Sequence, residues 1–166
     1  MKYKVTGKQN NSAWCAVCGT KNPFSLNARF YALETGELAC TFRPEDWHQS
    51  YPERTHGGMT AAVLDELIGR AVCLAEPDVW GVTVELHLKY KKPVPTEADL
   101  KAIAKITRNS RRLFEGTGEL FLPDGTVAIE AWGKYMKMPL ESISAKQFTE
   151  DMWFLLAEDD PGELEI

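Results

Sequence analysis

Two adjacent carboxylates, Asp65 and Glu66, interrupt an otherwise apolar stretch, HGGMTAAVLDELIGRAV (residues 56–72). An ionised carboxylate is costly to bury unless it is paired or hydrogen-bonded, so each needs its own account. On a helix, Asp65 shares a side with Ala61, Ile68, Gly69 and Val72, beside the stripe of Leu64 and Ala75. Glu66 points about 100° further round and has Arg70 four residues on, the spacing of an ion pair in solvent. Glu66 thus has a structural explanation and Asp65 has none, which makes Asp65 the candidate working group. Such an acid can act as a base on water or attack an electrophilic carbon directly.

The residues just before this run fit the same chemistry. His56, Gly57 and Gly58 open the helix with two positions that carry no side chain, so another molecule can approach the backbone. Free N–H groups at a helix start attract negative charge, and the Gly57 N–H could hold an oxyanion formed on a carbonyl. Gly58 leaves the same entrance open to a substrate. The plainer reading is a junction that merely needs glycine flexibility. The acid two turns further along tips the balance towards chemistry.

The surrounding elements must hold these groups. A hairpin is expected from Asn27–Leu33 and Glu37–Arg43 around the turn Glu34-Thr35-Gly36, then a polar loop from Pro44 to Thr55. One long helix runs from Gly57 to about Glu76, with Pro77 as its stop. Val82–Tyr90 alternates cleanly, placing Val82, Val84, Leu86, Leu88 and Tyr90 on one face and Thr83, Glu85, His87 and Lys89 on the other. Strands over Asp99–Arg108, Arg112–Leu122 and Thr126–Met138 follow, joined by short turns that imply antiparallel neighbours. A single apolar helix must bury itself against that sheet. The class is therefore α+β in two layers, with an antiparallel sheet curled around one long central helix.

The organisation expected is an irregular N-terminal leader (1–26) carrying Cys15-x2-Cys18, a main domain (27–139), and a C-terminal part (140–166). In the last, Ser144–Ala157 reads as a short amphipathic helix before a mobile acidic tail. The 166 residues suffice for one domain with a real core. A net charge of −5 argues against a general nucleic-acid binder. No stretch approaches the ~18 apolar residues of a membrane span, and the first residues lack a signal-peptide core. Four cysteines are too sparse for a disulfide scaffold, so a reduced, cytoplasmic setting is expected.

The run His56-Gly57-Gly58-x6-Asp65 resembles the signature of hotdog-fold acyl-CoA thioesterases of the PaaI-like (phenylacetyl-CoA thioesterase) type. The likeness covers roughly residues 15 to 138. It takes in Trp47-His48-Gln49-Ser50-Tyr51-Pro52, Gly81-Val82-Thr83-Val84-Glu85-Leu86 and the leader motif Cys15-x2-Cys18-Gly19-x2-Asn22-Pro23. Hotdog folds wrap an antiparallel sheet around one long helix. The resemblance implies hydrolysis of an acyl-CoA to the free acid and coenzyme A. Asp65 would be the carboxylate, the Gly57 N–H would polarise the thioester carbonyl, and His56 would shape the helix entrance. It also implies a homodimer or homotetramer with its site between subunits, Thr83 serving a partner's acid, and no bound cofactor. Many relatives carry Asn six residues before the His. Here Ser50 stands there, and Gln49, one step earlier, becomes the amide candidate. In the related His-Gln-Gly-Tyr-Pro-Gly loop, Ser50 and Glu53 occupy the glycine positions.

Remaining candidates are weaker. Arg111 and Arg112, at a strand turn, could meet coenzyme A phosphates or simply be solvated. Cys15-x2-Cys18 is half of a zinc site, but Cys40, Cys73 and His48 are not at matching spacing, so no metal is expected. His48 reads as a loop residue near the pocket. Two rival functions stay open: a non-catalytic module binding acyl-CoA or a lipid-like ligand, and a platform whose leader and tail bind protein.

Overall fold

The structure is a computed structural model describing residues 1–158 and 160–166. In chain order its elements are β1 (Lys2–Lys8), β2 (Asn11–Ser12), β3 (Arg29–Leu33), β4 (Leu38–Phe42), β5 (Gln49–Tyr51), β6 (Arg54–Thr55) and α1 (Gly57–Ala71). There follow β7 (Trp80–Tyr90), β8 (Leu100–Asn109), β9 (Leu113–Phe121), β10 (Val127–Met138), α2 (Leu140–Ile143), β11 (Trp153–Phe154) and β12 (Glu163–Glu165). Eight strands form one antiparallel sheet in the order β12-β1-β3-β4-β8-β9-β10-β7. The sheet curls around α1, as the sequence predicts.

The helix is held by burial on one side. Val63, Leu64, Leu67 and Ile68 are fully buried, each stabilising by roughly 1.5–3 kcal/mol relative to exposure. They pack in one core with Phe30, Leu38, Cys40, Leu120 and Ile129. The close approach depends on β9. A Cβ at Gly116 would fall 2.7 Å from Ile68 and 2.8 Å from the Lys105 carbonyl oxygen. α1 ends at Ala71, passes into a 3₁₀ turn over Val72–Leu74, and thus stops slightly before the predicted end.

Two expected segments are different. The leader is not irregular: β1 pairs with β3 on one side and with β12 on the other. Its alternation, with Tyr3 and Val5 half-buried between exposed Lys2, Lys4 and Thr6, was a strand signal. Nor do residues 144–157 form a helix. Only Leu140–Ile143 is helical, and Trp153–Phe154 instead pairs with Asn11–Ser12. Local amphipathic pattern loses there to long-range pairing and aromatic packing. The C-terminal tail, in turn, contributes β12 through Glu163–Glu165.

The alternation of β7 is also broken. Opposite β10, Tyr135 pairs with Thr83 and Lys134 with Glu85, so Val84 is an unpaired bulge residue. Thr83 and Leu86 therefore both face the helix side, on opposite flanks of the bulge. The pattern of one continuous apolar face holds only from Leu86 onwards.

Candidate active site

α1 carries Asp65 half-buried at its middle, where β7 and β10 cross the helix. The Thr83 hydroxyl donates to Asp65, 2.9 Å from Oδ1 and 3.1 Å from Oδ2. The Tyr135 hydroxyl donates to Oδ1 at 3.0 Å and lies 3.0 Å from the Asp65 main-chain oxygen. Burial, and then the neighbouring Asp65 charge, push the Tyr135 hydroxyl well above its usual range, so it stays a donor at neutral pH. With Oδ1 taking both close donors, Oδ2 is the freer oxygen. The bulge at Val84 is what turns Thr83 onto Asp65 of its own chain, which corrects the expectation that it serves a partner's acid.

Tyr135 was missed in the sequence. Its signal was Gly133, two residues earlier on the same face of β10. A Cβ there would sit 2.6 Å from the Tyr135 ring, so glycine makes the room the phenol needs.

The second cluster lies at the start of α1. His56 is the N-cap, and its Nδ1 accepts the Gly58 N–H at 2.8 Å. That occupies the Gly58 donor and leaves the Gly57 N–H for another acceptor. The Tyr90 hydroxyl donates to the Gly57 carbonyl at 2.7 Å, a contact the sequence did not suggest. Gln49 is exposed on β5, paired with Thr55 just ahead of the helix. Trp47, Tyr51 and Tyr90 are exposed large aromatics on the segments that flank this entrance. His48, by contrast, is buried and structural: its Nδ1 accepts the Glu45 N–H, and its Nε2 lies 2.9 Å from the Phe24 carbonyl.

Eight residues separate Gly57 from Asp65, about 12 Å along the helix axis. One chain therefore does not bring the two clusters onto a common carbonyl. Arg111 and Arg112 are exposed in the β8–β9 turn, at the other end of α1, where Asn109 bonds Glu76 at 2.6 Å.

Asp65 and Thr83 line a cavity of about 620 Å³ that continues past Gly69 and Arg70 to Cys73 and Trp80. Glu66 lies on its other wall, and not in open solvent as its spacing suggests. The leader folds over that side of α1, leaving the Arg70 and Glu66 side chains 10% and 19% exposed. Arg70 donates twice to Glu66 Oε1 (2.9 and 2.7 Å), to the Asn10 carbonyl (2.7 Å) and to Cys18 Sγ (3.1 Å). Its guanidinium lies between the Phe30 and Trp153 rings, 4.2 and 4.7 Å from their centres. Cys15 completes the cluster by donating to Glu66 Oε2 at 3.0 Å.

Among the described residues, Cys15, Cys18 and Glu66 form a group whose ligand atoms all lie within 4.8 Å of one another. Arg70 already supplies the positive charge this group calls for, so it is an anchor for that guanidinium. Replacing Arg70 by Met is accordingly expected to destabilise the fold by about 3–5 kcal/mol, because Glu66 is left buried and unpaired. Urea unfolding checks this, and the double variant Glu66→Gln/Arg70→Met should recover much of the loss.

The family model described as Thioesterase superfamily matches residues 54–129, a segment holding Gly57, Asp65 and Thr83 but not Tyr135. Human acyl-coenzyme A thioesterase 13 is 26% identical over 78 residues, which is 47% of this chain and 56% of that protein. The chain thus spans little more than half the length of the curated relatives it matches. Among solved structures, a thioesterase superfamily protein aligns with a TM-score of 0.68 at 24% identity, over 74% of this chain and 59% of that one. The E. coli PaaI protein from the phenylacetic acid degradation operon aligns with a TM-score of 0.62 at 14% identity, over 68% and 80% of the two chains. The shared element is a sheet wrapped around one long helix: this chain has the hotdog fold of these structures, and its residues 54–129 are similar to the thioesterase superfamily.

Proposed function

We propose that this protein hydrolyses an acyl-CoA thioester to the free acid and coenzyme A, with Asp65 as the reacting carboxylate. The observation that carries the reading is a half-buried acid, oriented by the Thr83 and Tyr135 hydroxyls, on the wall of a cavity large enough for an acyl group. A pure binding module gains little from such an acid.

In the water route, Asp65 Oδ2 takes a proton as water attacks the carbonyl carbon. The tetrahedral oxyanion then expels the thiolate, which recovers the proton. In the covalent route, the carboxylate attacks first, thiolate leaves, and water opens the resulting anhydride. Single turnover in H₂¹⁸O separates the two, since only the covalent route can place the label in the Asp65 side chain. No step calls for a bound cofactor, and the setting we infer is cytoplasmic.

The oxyanion needs a donor, and the Gly57 N–H of the same chain is about 12 Å away along the helix. A second copy supplies the missing half if its helix start meets Asp65 of the first. Two features support this arrangement. β7 is an 11-residue strand at the sheet edge, with a free row of hydrogen-bonding groups. Trp47, Tyr51 and Tyr90 expose aromatic surface around the Gly57 entrance. The unit is therefore a homodimer at least, with Gln49, His56 and Gly58 beside the shared site.

Thiol release from a panel of short, long and aromatic acyl-CoAs tests the reading. Saturable turnover is expected. Tight binding of acyl-CoA with no turnover across the panel would instead make the protein a binding module.

A further inference from the structure

The cavity beside Asp65 extends along α1 from Asp65 to Cys73, both of which line it. That is eight residues, about 12 Å. Besides Tyr135 of β10, its walls include three separated parts of the chain: the leader (Gln9, Asn10, Ser12), the helix, and the start of β7. The C-terminal segment ties all three together. Trp153 pairs with Ser12 of the leader, and the Ala13 N–H bonds the Met152 carbonyl at 3.0 Å. The Trp153 ring lies over the Arg70 guanidinium on the helix. It also meets Trp80, at the start of β7, with ring centres 5.5 Å apart. Phe148 closes the group, stacked on Trp153 at 5.3 Å and tilted against Trp80 at 5.4 Å. Trp80, Phe148 and Trp153 all line the cavity.

Resting on the acyl-CoA reading above, we propose that the C-terminal segment roofs the acyl chamber and that Trp153, backed by Phe148 and Trp80, is the stop that limits acyl length. The thioester lies at Asp65 and Thr83, and the acyl group runs from there towards Cys73. The chamber favours an apolar body of medium length. Its charged groups are already engaged, Arg70 with Glu66 and Lys8 with Asp160 at 2.7 Å. Among the described residues, a distal carboxylate or phosphate on the acyl group would find no free cation there, whereas the aromatic cluster offers stacking and apolar contact.

The position of Trp153 makes it a specificity residue with a readable signature. Each methylene accommodated in or refused by an apolar pocket changes kcat/KM by roughly 10–200-fold. The test measures kcat and KM over straight-chain acyl-CoAs of increasing length for the wild type, Trp153→Ala, Trp153→Phe and Phe148→Ala. The wild type should show a length cut-off. Trp153→Ala should raise kcat/KM for chains beyond the cut-off by at least about 10-fold, chiefly through KM, with short chains little changed. Trp153→Phe, which removes only part of the ring system, should move the cut-off in the same direction but less than Trp153→Ala. If Trp153→Ala does not fold by circular dichroism, Phe148→Ala carries the same test, since Phe148 is the partly exposed outer member of the cluster.

An unchanged length profile in a folded variant, or an equal loss at every length, overturns the roof. Absence of turnover in the wild type at all lengths defeats the hydrolase reading instead. In that case, binding of non-hydrolysable thioether analogues of the same lengths still decides the roof, by the same shift or its absence.

Discussion

Asp65→Asn is expected to lower kcat/KM for the best acyl-CoA by about 10²–10⁴-fold, the range that general acid–base groups supply. The amide is isosteric and still accepts one hydrogen bond, so Thr83 or Tyr135 keeps a partner and the fold survives. What is lost is an oxygen that can take a proton or attack carbon. Thermal unfolding of the variant should stay close to wild type while thiol release collapses. A folded Asp65→Asn variant retaining most of its turnover would remove Asp65 from the reaction. Acyl-CoA binding should persist in this variant, which makes it the form in which to trap the bound substrate.

Gly57→Pro should cost about 10²–10³-fold in kcat, the effect of removing one oxyanion donor. Proline is suited to this position. Gly57 is the first helical residue, where an N–H has no intrahelical acceptor and φ near −65° is already required. His56, with φ −60° and ψ 132°, has the extended conformation that precedes proline comfortably. An added Cβ would meet the Tyr90 ring no closer than 3.4 Å, an ordinary contact. The substitution therefore deletes one hydrogen atom's worth of function with little structural disturbance. If, as proposed, the Gly57 N–H and Asp65 of one site lie on different copies, two inactive variants should rescue one another. Unfolding and refolding Gly57→Pro together with Asp65→Asn should restore about a quarter of wild-type activity, since random pairing in a two-fold dimer leaves one intact site in half of the dimers. No rescue would overturn the shared site and remove the Gly57 N–H from the reaction at Asp65.

The helix and the strands from β7 to β10 were legible in the sequence because periodicity is a local property. Asp65 was legible for the same reason: helical geometry alone sets it apart from Glu66. What escaped was decided by distant partners. Thr83 faces Asp65 because Tyr135, 52 positions along the chain, pairs with it and leaves Val84 out of register. Glu66 left solvent because the leader, read as irregular, covers it. Trp153 leaves its helical pattern because Asn11–Ser12, Arg70 and Trp80 await it, and none is near it in sequence. Cys15 and Cys18 were noticed, but their third neighbour, Glu66, could only be found in three dimensions.

The bulge at Val84 gives β7 two reading frames. From Trp80 to Thr83 the strand is written in the phase of the chemistry, and from Leu86 to Tyr90 in the phase of the core. One residue is the comma between them. A lineage could therefore rewrite the first phrase, changing which atoms greet the acid, while the second continued to spell the same packed interior. Closing the bulge, so that Val84 in place of Thr83 stood opposite Tyr135, would instead swap Gly81 and Thr83 with Val82 across the sheet, silencing the site in a protein that still folds.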